Sequence, residues 1–443
     1  MLYCAQVMRR NTVRSGLIVA LLAGLLCGCA VYHAEPLPAA PDVAPSAPSG
    51  PLDMTKAARL ALKASPDLAA LRRQAEVTEA TADVGGLLPD PQVSLSGDRP
   101  TIHGVGLTNA YALGLSQDLQ ALLTEPSRAE GAEAARKEAA LNLLWEEWQT
   151  IQSASGAYVT AYFSATKAAQ LHAAADVLSA QASRSTRALA THDSTIDAAG
   201  ADLSAALDTA SQADNAAREA LAADAALKAL LNVAPSATLS LADPGLPAPI
   251  AKNALGTALA HVAEARPDLL ALKAGYHAQE EAVWTAILEQ FPAINVGFNR
   301  ASDTSNIQTN GLAVTLNLPI FGTTQANIRK ERATRAQLRA EYQARLDATV
   351  SDAWRIWHAL GLLHAQLESL SAQLPQLRKM AQAGQRAYRA GNLPSATYVL
   401  MMTSLATREA ELFDLKTTLW TDTLALRTLL ATPLVTVEAG DGR

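Results

Sequence analysis

The sequence predicts a mainly α-helical protein with a small β part, in which a strand pair and a long helical hairpin occur twice. About one residue in five is Ala, the strongest helix former, whose small side chain lets helices approach closely. Two stretches, Glu125–Ala190 and Thr324–Ala390, contain almost no residues that break helices. Segments of the first half also recur in the second half at a constant offset of about 201 residues.

The composition excludes several classes of protein. The 443 residues carry 42 acidic and 36 basic side chains, and this net charge of −6 argues against a nucleic-acid-binding protein. The hydrophobic fraction of 49% is too high for a disordered chain, and three Cys are too few for a disulfide scaffold.

The first 28 residues have the character of a lipoprotein signal peptide. Residues 9–14 include three Arg, and Leu17–Leu26 is an apolar run too short to span a bilayer as a stable helix. The segment Leu26–Cys29 resembles a bacterial lipobox, with a small residue directly before Cys29. We therefore expect cleavage before Cys29 and a covalent lipid on that residue, with no other cofactor.

Residues 29–51 are expected to form an extended tether, because His33–Pro51 is rich in Pro and Ala. Ala30 follows the lipidated Cys, where an Asp would signal retention in the inner membrane, so the sequence favours the outer membrane. An ordinary signal peptide is the alternative, and the true start is either Met1 or Met8.

The body is predicted to consist of two repeats, residues 52–249 and 250–433, followed by a C-terminal tail, residues 434–443. A Pro-rich stretch marks the boundary between the repeats. The offset is carried by three separate pairs of segments: Pro66-Asp67-Leu68 with Pro267-Asp268-Leu269, Pro91–Arg99 with Pro292–Arg300, and Leu115–Leu119 with Leu316–Ile320.

Each repeat contains a pair of segments with the alternating apolar and polar pattern of β-strands, at about 91–119 and about 292–320. Each strand has about ten residues, the length of a tilted strand that crosses a membrane. The alternative is a pair of amphipathic hairpins that cover a soluble core. Four strands cannot close into a barrel, whereas three copies would supply twelve strands, which can close, so the pattern predicts an oligomer.

The two long helical stretches would each extend roughly 100 Å at the α-helical rise of about 1.5 Å per residue. Helices of this length need a coiled coil or a stacked bundle for support. Ala lies on several faces of each helix, which suits a helix that packs on more than one side, as in the wall of a tube. We expect the aromatic side chains of these helices, among them Trp145, Tyr158 and Trp357, to pack between helices.

In this order, the motifs resemble those of the outer-membrane efflux protein family, the TolC-like channels, and in particular its lipidated members. The resemblance covers nearly the whole mature chain. It rests on the duplication and on these segments: Ser65–Leu68 and Arg266–Leu269, Leu88–Val93 before a strand, Leu318–Gly322 at the end of the last strand, and Ala387–Ser395 before a returning helix.

The resemblance implies a homotrimer in the lipid of the bacterial outer membrane, with a 12-stranded β-barrel that continues as an α-helical tunnel, a large extension into the periplasm. It also implies a periplasmic adaptor (membrane fusion) protein and an inner-membrane pump of the resistance–nodulation–division (RND) type as partners. The channel itself would conduct passively and catalyse nothing.

The hairpin turns are the candidate periplasmic tips. In the second repeat we expect Gly391 to end a helix with positive φ, Asn392 to cap the next helix, and Pro394 to lie in its first turn. Together with Leu393 and Ser395, these residues are candidates for contact with the adaptor. The bland interpretation is that they only form a tight turn.

The first repeat has His192 where the family pattern has Gly. His192 and Ser194 are candidates for contact with the adaptor, and Asp193 is the expected N-cap. The sharper hypothesis is that Asp193 or Asp197 points into the entrance, where three-fold symmetry would form a ring of carboxylates that favours cations. The bland interpretation of Asp197 is an early-turn acid that suits the helix dipole.

The sequence supports no catalytic site and no metal site, because the His residues lack ligand spacing and no nucleophile or phosphate-binding motif occurs. The runner-up function is a structural or adaptor lipoprotein of the periplasm with one long coiled-coil hairpin. Within the leading function, drugs, metal ions and small organic toxins all remain open as substrates.

Overall fold

The computed structural model describes residues 32–40, 42, 50–101, 104 and 106–432. The predicted signal peptide, Cys29 and the whole predicted C-terminal tail, residues 434–443, lie outside the described residues. The chain divides into two compact units, Met1–Val43 and Ala44–Arg443. The described residues of the first unit, 32–40 and 42, are exposed and form no helix or strand.

The second unit contains the same order of elements twice, except that the second half has one additional short helix, Val262–Ala265. The elements of the first half are α1 (Met54–Ala64), α2 (Pro66–Gly85), β1 (Gln92–Asp98), β2 (Ala110–Asp118), α3 (Leu119–Ala190) and α4 (Ile196–Leu230). The elements of the second half are α5 (Lys252–Ala260), α6 (Val262–Ala265), α7 (Pro267–Leu288), β3 (Ala293–Ser302), β4 (Gln308–Asn317), α8 (Thr323–Arg389) and α9 (Ser395–Leu429). The chain is therefore mainly helical with a small sheet, as predicted.

The long helices of the two halves closely match each other in length. Helices α3 and α8 have 72 and 67 residues, and the returning helices α4 and α9 both have 35. Helix α3 begins six residues earlier than Glu125, because β2 passes directly into it at Asp118. The Asp118 carboxylate caps the helix by accepting a hydrogen bond from the Gln120 amide at 2.8 Å.

A seven-residue repeat of buried side chains holds the long helices together. On α3 the seam is Ala154, Ala161, Ala168, Ala175 and Ala182; on α8 it is Ala353, Leu360, Leu367, Leu374 and Ala381; on α4 it is Ala199, Ala206 and Ala213. A strict seven-residue repeat keeps one face of a helix on its neighbour along its whole length, as in a coiled coil. Ala also occurs on the other faces of these helices. The sequence alone therefore does not distinguish the Ala residues of this seam from the rest.

Lys167 ties three of these helices together. Its ammonium on α3 lies 3.1 Å from Glu219 on α4 and 2.9 Å from Asp414 on α9. Burial alone would lower the pKa of Lys167, but the hydrogen bonds to Asp414 and Glu219 and their negative charges raise it. The lysine therefore stays charged at neutral pH and links the first hairpin to the second.

The four strands form one antiparallel sheet in the order β1-β2-β3-β4. Strands β2 and β3 join the two halves, with Leu115 paired to Phe298. Strand β1 has seven residues, three fewer than β3 and β4 and fewer than the ten predicted. Among the described residues, each outer strand, β1 and β4, has only one neighbouring strand, so each has a free edge there.

Three aromatic side chains fasten the Pro-rich connection between the halves, residues 231–251. The Tyr158 hydroxyl lies 2.6 Å from the Ala242 carbonyl, and the indole N–H groups of Trp420 and Trp357 donate to the carbonyls of Gly245 and Ile250. Burial raises the pKa of Tyr158 to about 12, so it remains a hydrogen-bond donor. The prediction that Tyr158 and Trp357 only pack between helices was therefore incomplete.

Tyr158 also joins the start of the body to this connection. Its hydroxyl lies 2.7 Å from the carbonyl of Leu52, which pairs in parallel with Leu241. The Leu52 amide donates to Ser240, and its carbonyl accepts from Ala242. These bonds satisfy backbone groups of a segment that contributes to no regular sheet.

The second half contains a buried ion pair at the start of α7. Arg266 and Asp268 are almost fully buried and join through two hydrogen bonds of 2.9 and 2.6 Å. Arg266 also donates to Thr349 on α8 and lies 5.0 Å from the Trp145 ring on α3. In the first half Ser65 stands in this place, and its hydroxyl caps α2. The two repeats therefore stabilise equivalent helix starts by different chemistry.

Replacing Arg266 by Ala should lower the free energy of unfolding by about 3–5 kcal/mol, because Asp268 would be left as a buried charge without its main partner. The midpoint of unfolding of the detergent-solubilised protein measures the loss. Arg73→Ala, which breaks the exposed pair with Glu76, is the control and should cost under about 1 kcal/mol. An Arg266 variant as stable as the Arg73 variant would contradict the prediction.

Candidate functional site

One face of the sheet is apolar and exposed. The row formed by Val93, Leu115, Phe298 and Leu312 crosses all four strands through directly paired residues. All four side chains are exposed; Val93, for example, is 69% exposed. The other apolar members of this face are Leu95, Tyr111, Leu113, Ile294, Val296, Val314 and Leu316. Monomeric soluble proteins rarely expose a contiguous apolar surface of this kind, so the face needs an apolar environment.

The opposite face is polar and small. Its central row is Ser94, Gly114, Asn299 and Gly311, again paired strand to strand. The remaining members are Gln92, Ser96, Asp98, Ala110, Ala112, Ser116, Asp118, Ala293, Asn295, Gly297, Ala301, Thr309, Ala313, Thr315 and Asn317. This face presents hydroxyls and amides to water and contains no His, Cys or Met.

The turn of the first helical hairpin is held by a residue in the left-handed conformation. His192 has φ of +65°, so it takes the backbone role that Gly usually fills at the end of a helix. Asp193 is not the N-cap that the sequence suggested; its carboxylate accepts a hydrogen bond from the Thr191 hydroxyl at 2.7 Å. Thr195 caps α4 instead, by accepting from the Ala198 amide.

The candidate residues of the first turn differ in exposure. His192, Asp193 and Asp197 are exposed, and Ser194 is partly buried. Asp197 lies in the first turn of α4, where an acid suits the positive end of the helix dipole.

In the second turn, Gly391 has φ of +75°, the conformation expected for it. Asn392 does not cap the following helix. Pro394 occupies the N-cap position, one residue before α9 rather than in its first turn, and provides no side-chain hydrogen bond. Asn392 and Pro394 are exposed and Ser395 is partly buried. Leu393 is partly buried, because it packs against the apolar cluster described next.

The ends of the two hairpins share one apolar cluster. It contains Leu178 and Ala182 of α3, Ala206 of α4, and Tyr398 and Val399 of α9. The Tyr388 ring of α8 stacks on the Tyr398 ring, with 4.9 Å between ring centroids and 2° between ring planes. The two hairpins are thus packed together close to both turns.

A buried polar cluster lies beside this apolar one. The Gln181 side-chain amide on α3 lies 2.6 Å from the Tyr388 hydroxyl on α8 and 3.0 Å from the Asp202 carboxylate on α4. Ser185 donates to the same carboxylate oxygen, and Arg184 donates to the Gln181 carbonyl oxygen. Gln181 therefore connects the first hairpin to the second.

Asp202 is the member of this cluster that is least satisfied. It is fully buried, and its second oxygen, Oδ1, has no hydrogen-bond partner among the described residues. Leaving a buried acceptor unsatisfied costs about 1–3 kcal/mol. The first hairpin therefore contains a buried, partly unsatisfied carboxylate beside the contact of Gln181 with Tyr388.

The sequence contains a signal for this cluster, but only after the seam is known. Ser185 follows Leu171 and Leu178 at intervals of seven, and Asp202 and Thr209 are spaced likewise on α4. Polar residues at these positions face each other across the hairpin. Without the register of the seam, the sequence does not distinguish Asp202 from the exposed acidic residues of the same helix.

The described residues contain no candidate metal cluster and no candidate membrane-spanning helix. They contain no group of three or more His, Cys, Asp or Glu side chains that could hold a metal ion. None of the described helices is both long and apolar enough to cross a membrane. The predicted lipid-bearing residue, Cys29, lies outside the described residues, so its modification stays a prediction.

Residues 258–432 match the model of a family described as outer membrane efflux protein. This match covers most of the second half, from α5 through α9. A comparison with curated protein sequences gave no match.

Several solved channel structures share the fold. The outer-membrane channel OprN superposes with a TM-score of 0.72 at 16% identity, over 86% of this chain and 90% of that chain. The CmeC outer membrane channel of Campylobacter jejuni gives 0.71 at 14% identity, over 85% of each chain. The outer membrane protein VceC from Vibrio cholerae gives 0.69 at 15% identity, over 86% of this chain and 97% of that chain.

These matches confirm the resemblance that the sequence motifs indicate. Residues 258–432 carry the sequence pattern of the outer membrane efflux protein family, and the chain has the fold of TolC-like outer-membrane channels.

Proposed function

We propose that this protein is an outer-membrane channel that passively conducts substrates to the exterior, with a periplasmic adaptor and an RND-type inner-membrane pump as partners. The observation that carries the proposal is the sheet with one apolar and one polar face, from which two very long helices extend: α3 directly after β2, and α8 five residues after β4. In this arrangement lipid would cover the apolar face and water the polar one.

The free edges of the sheet favour a homotrimer. A four-stranded sheet with free edges at β1 and β4 leaves backbone groups unpaired, which is costly in lipid. Three copies would join these edges into a closed 12-stranded barrel with the polar face inside. Helices α3 and α8 would then continue the barrel as a tunnel roughly 100 Å long, at the α-helical rise of about 1.5 Å per residue.

The hairpin ends are the proposed periplasmic entrance. The contact of Gln181 with Tyr388 would hold the second hairpin against the first and keep the entrance narrow. Opening would break this contact and hydrate the Asp202 carboxylate. The hydration would offset part of the free-energy cost of breaking the contact. The adaptor would dock on the exposed turn residues His192, Gly391, Asn392 and Pro394 and on the partly buried Ser194, Leu393 and Ser395.

The polar face favours a general conduit over a metal relay. Its hydroxyls and amides bind soft metal ions poorly. Drugs, small organic toxins and hydrated ions all fit such a surface, and the pump would select among them. A lipid on Cys29 would anchor the chain in addition to the sheet.

The oligomeric mass tests the proposal first. The mature protein, extracted from outer membranes in mild detergent, should have the mass of a trimer by light scattering corrected for bound detergent. Cys29→Ser should remove the lipid and leave a trimer that still needs detergent, since the apolar faces remain. A soluble monomer after Cys29→Ser would refute the channel and favour a tethered coiled-coil lipoprotein of the periplasm.

Loosening the contact between the hairpins should open the channel. Tyr388→Phe combined with Gln181→Leu removes the hydrogen bond between them and keeps similar side-chain volumes. We expect the mean single-channel conductance in planar bilayers to rise about twofold or more, because the entrance is the proposed constriction. Tyr342→Phe on the same helix is the control. Unchanged conductance in the double variant would contradict this role of the contact.

Neutralising both acids of the first turn tests the carboxylate ring. Asp193→Asn with Asp197→Asn should lower the cation-to-anion permeability ratio about twofold or more, as expected when a charged ring is removed from a pore. The control pair is Asp208→Asn with Asp214→Asn. Both are exposed acids on α4, farther from the turn than Asp197. An equal effect of the control pair, or no effect of the first pair, would rule out a ring at the turn.

A further inference from the structure

Polar groups gather at one end of the apolar face of the sheet. This end carries the β1–β2 and β3–β4 loops and lies away from the long helices. Here Tyr111 pairs with Ser302, and Arg300 pairs with Leu113 and Asn310. Elsewhere the face is apolar except for Gln117 at the opposite end. The face therefore changes from apolar to polar at the loop end.

Arg300 is the only charged side chain among the described residues of this face. It is exposed, and its Nη2 donates one hydrogen bond of 3.2 Å to the Gln308 side chain. Its other N–H groups have no acceptor in the described part of the chain, and no carboxylate pairs with it there. A guanidinium with free N–H groups at the edge of an apolar surface is suited to bind an anion that itself carries apolar groups.

The duplication places a second Arg at the equivalent point. Arg99 lies 201 positions before Arg300, directly after β1, and it is exposed. Each repeat thus puts one cation at the same end of the sheet, next to exposed apolar residues such as Leu95, which is 79% exposed.

We propose that Arg300, assisted by Arg99, binds the phosphate groups of lipopolysaccharide at the loop end of the apolar face. The inference rests on the proposed function, in which lipid covers this face and the loops lie at the cell exterior. Lipopolysaccharide fits because it combines acyl chains with phosphates at the membrane surface. The planar guanidinium binds phosphate through paired hydrogen bonds, and Tyr111 suits the boundary between acyl chains and headgroups.

Lipid binding to the full-length protein tests the proposal. The protein is purified in mild detergent, freed of bound lipid, and titrated with diphosphoryl lipid A while native mass spectrometry records the bound fraction. Arg300→Gln should weaken lipid A binding about fivefold, the effect expected for loss of one cation near an anionic surface. Arg99→Gln should weaken it less, and Arg300→Lys should retain much of the affinity because the charge remains.

Two controls test whether the effect on lipid A binding depends on the position of the Arg and on the kind of lipid. Arg339→Gln, an exposed Arg on α8 far from the sheet, should bind lipid A as the wild type does. Phosphatidylglycerol should bind more weakly than lipid A and respond less to Arg300→Gln. Equal binding of lipid A by wild type and Arg300→Gln would overturn the proposal, as would phosphatidylglycerol binding as tight as that of lipid A.

Titration with neutral phosphatidylcholine separates this inference from the proposed function. If the wild type binds phosphatidylcholine and needs detergent while Arg300→Gln leaves lipid A binding unchanged, only the phosphate site is wrong. If the wild type binds none of the three lipids and stays soluble without detergent, the sheet does not lie in a membrane and both proposals fail.

Discussion

Close packing of small side chains along a seven-residue repeat is the constraint on which the rest of this chain depends. Ala at every seventh position of α3 from Ala154 to Ala182 lets the neighbouring helices approach closely along this part of the helix. A helix of this length could not stand alone in water. Because the seam holds α3 against its neighbouring helices, the sheet before it and the hairpin turn after it are supported by one packed frame. Lys167 and the aromatic anchors of the Pro-rich connection then bind the two halves to this frame.

The sequence predicts the repeating pattern well and individual contacts poorly, for physical reasons. Periodicity and helix breakers mark the strands and long helices, because those signals are local. Cap residues are harder to predict, because several adjacent polar residues can each cap a helix. Thr195 rather than Asp193 caps α4. The roles of Tyr158 and Asp202 depend on residues distant in the chain, so no local pattern reveals them.

The two repeats keep the same architecture with different local chemistry, and this separates what the fold requires from what it tolerates. Both repeats need a left-handed residue at the hairpin turn, and His192 supplies it in one and Gly391 in the other. Both need a secured helix start before the sheet, through the Ser65 cap in one and the buried Arg266–Asp268 pair in the other. Requirements of the backbone are thus shared, whereas the side chains that meet them have diverged.

The free edges of the sheet have a consequence for how the protein is made. Strands β1 and β4 expose unpaired backbone groups and apolar side chains until other strands cover them. The helices can form by local contacts within one chain, but the sheet cannot be completed there. Under the proposed function, a single subunit would therefore resemble a folding intermediate whose strand edges are prone to wrong pairing until copies assemble. Assembly and membrane insertion would be the last step of folding.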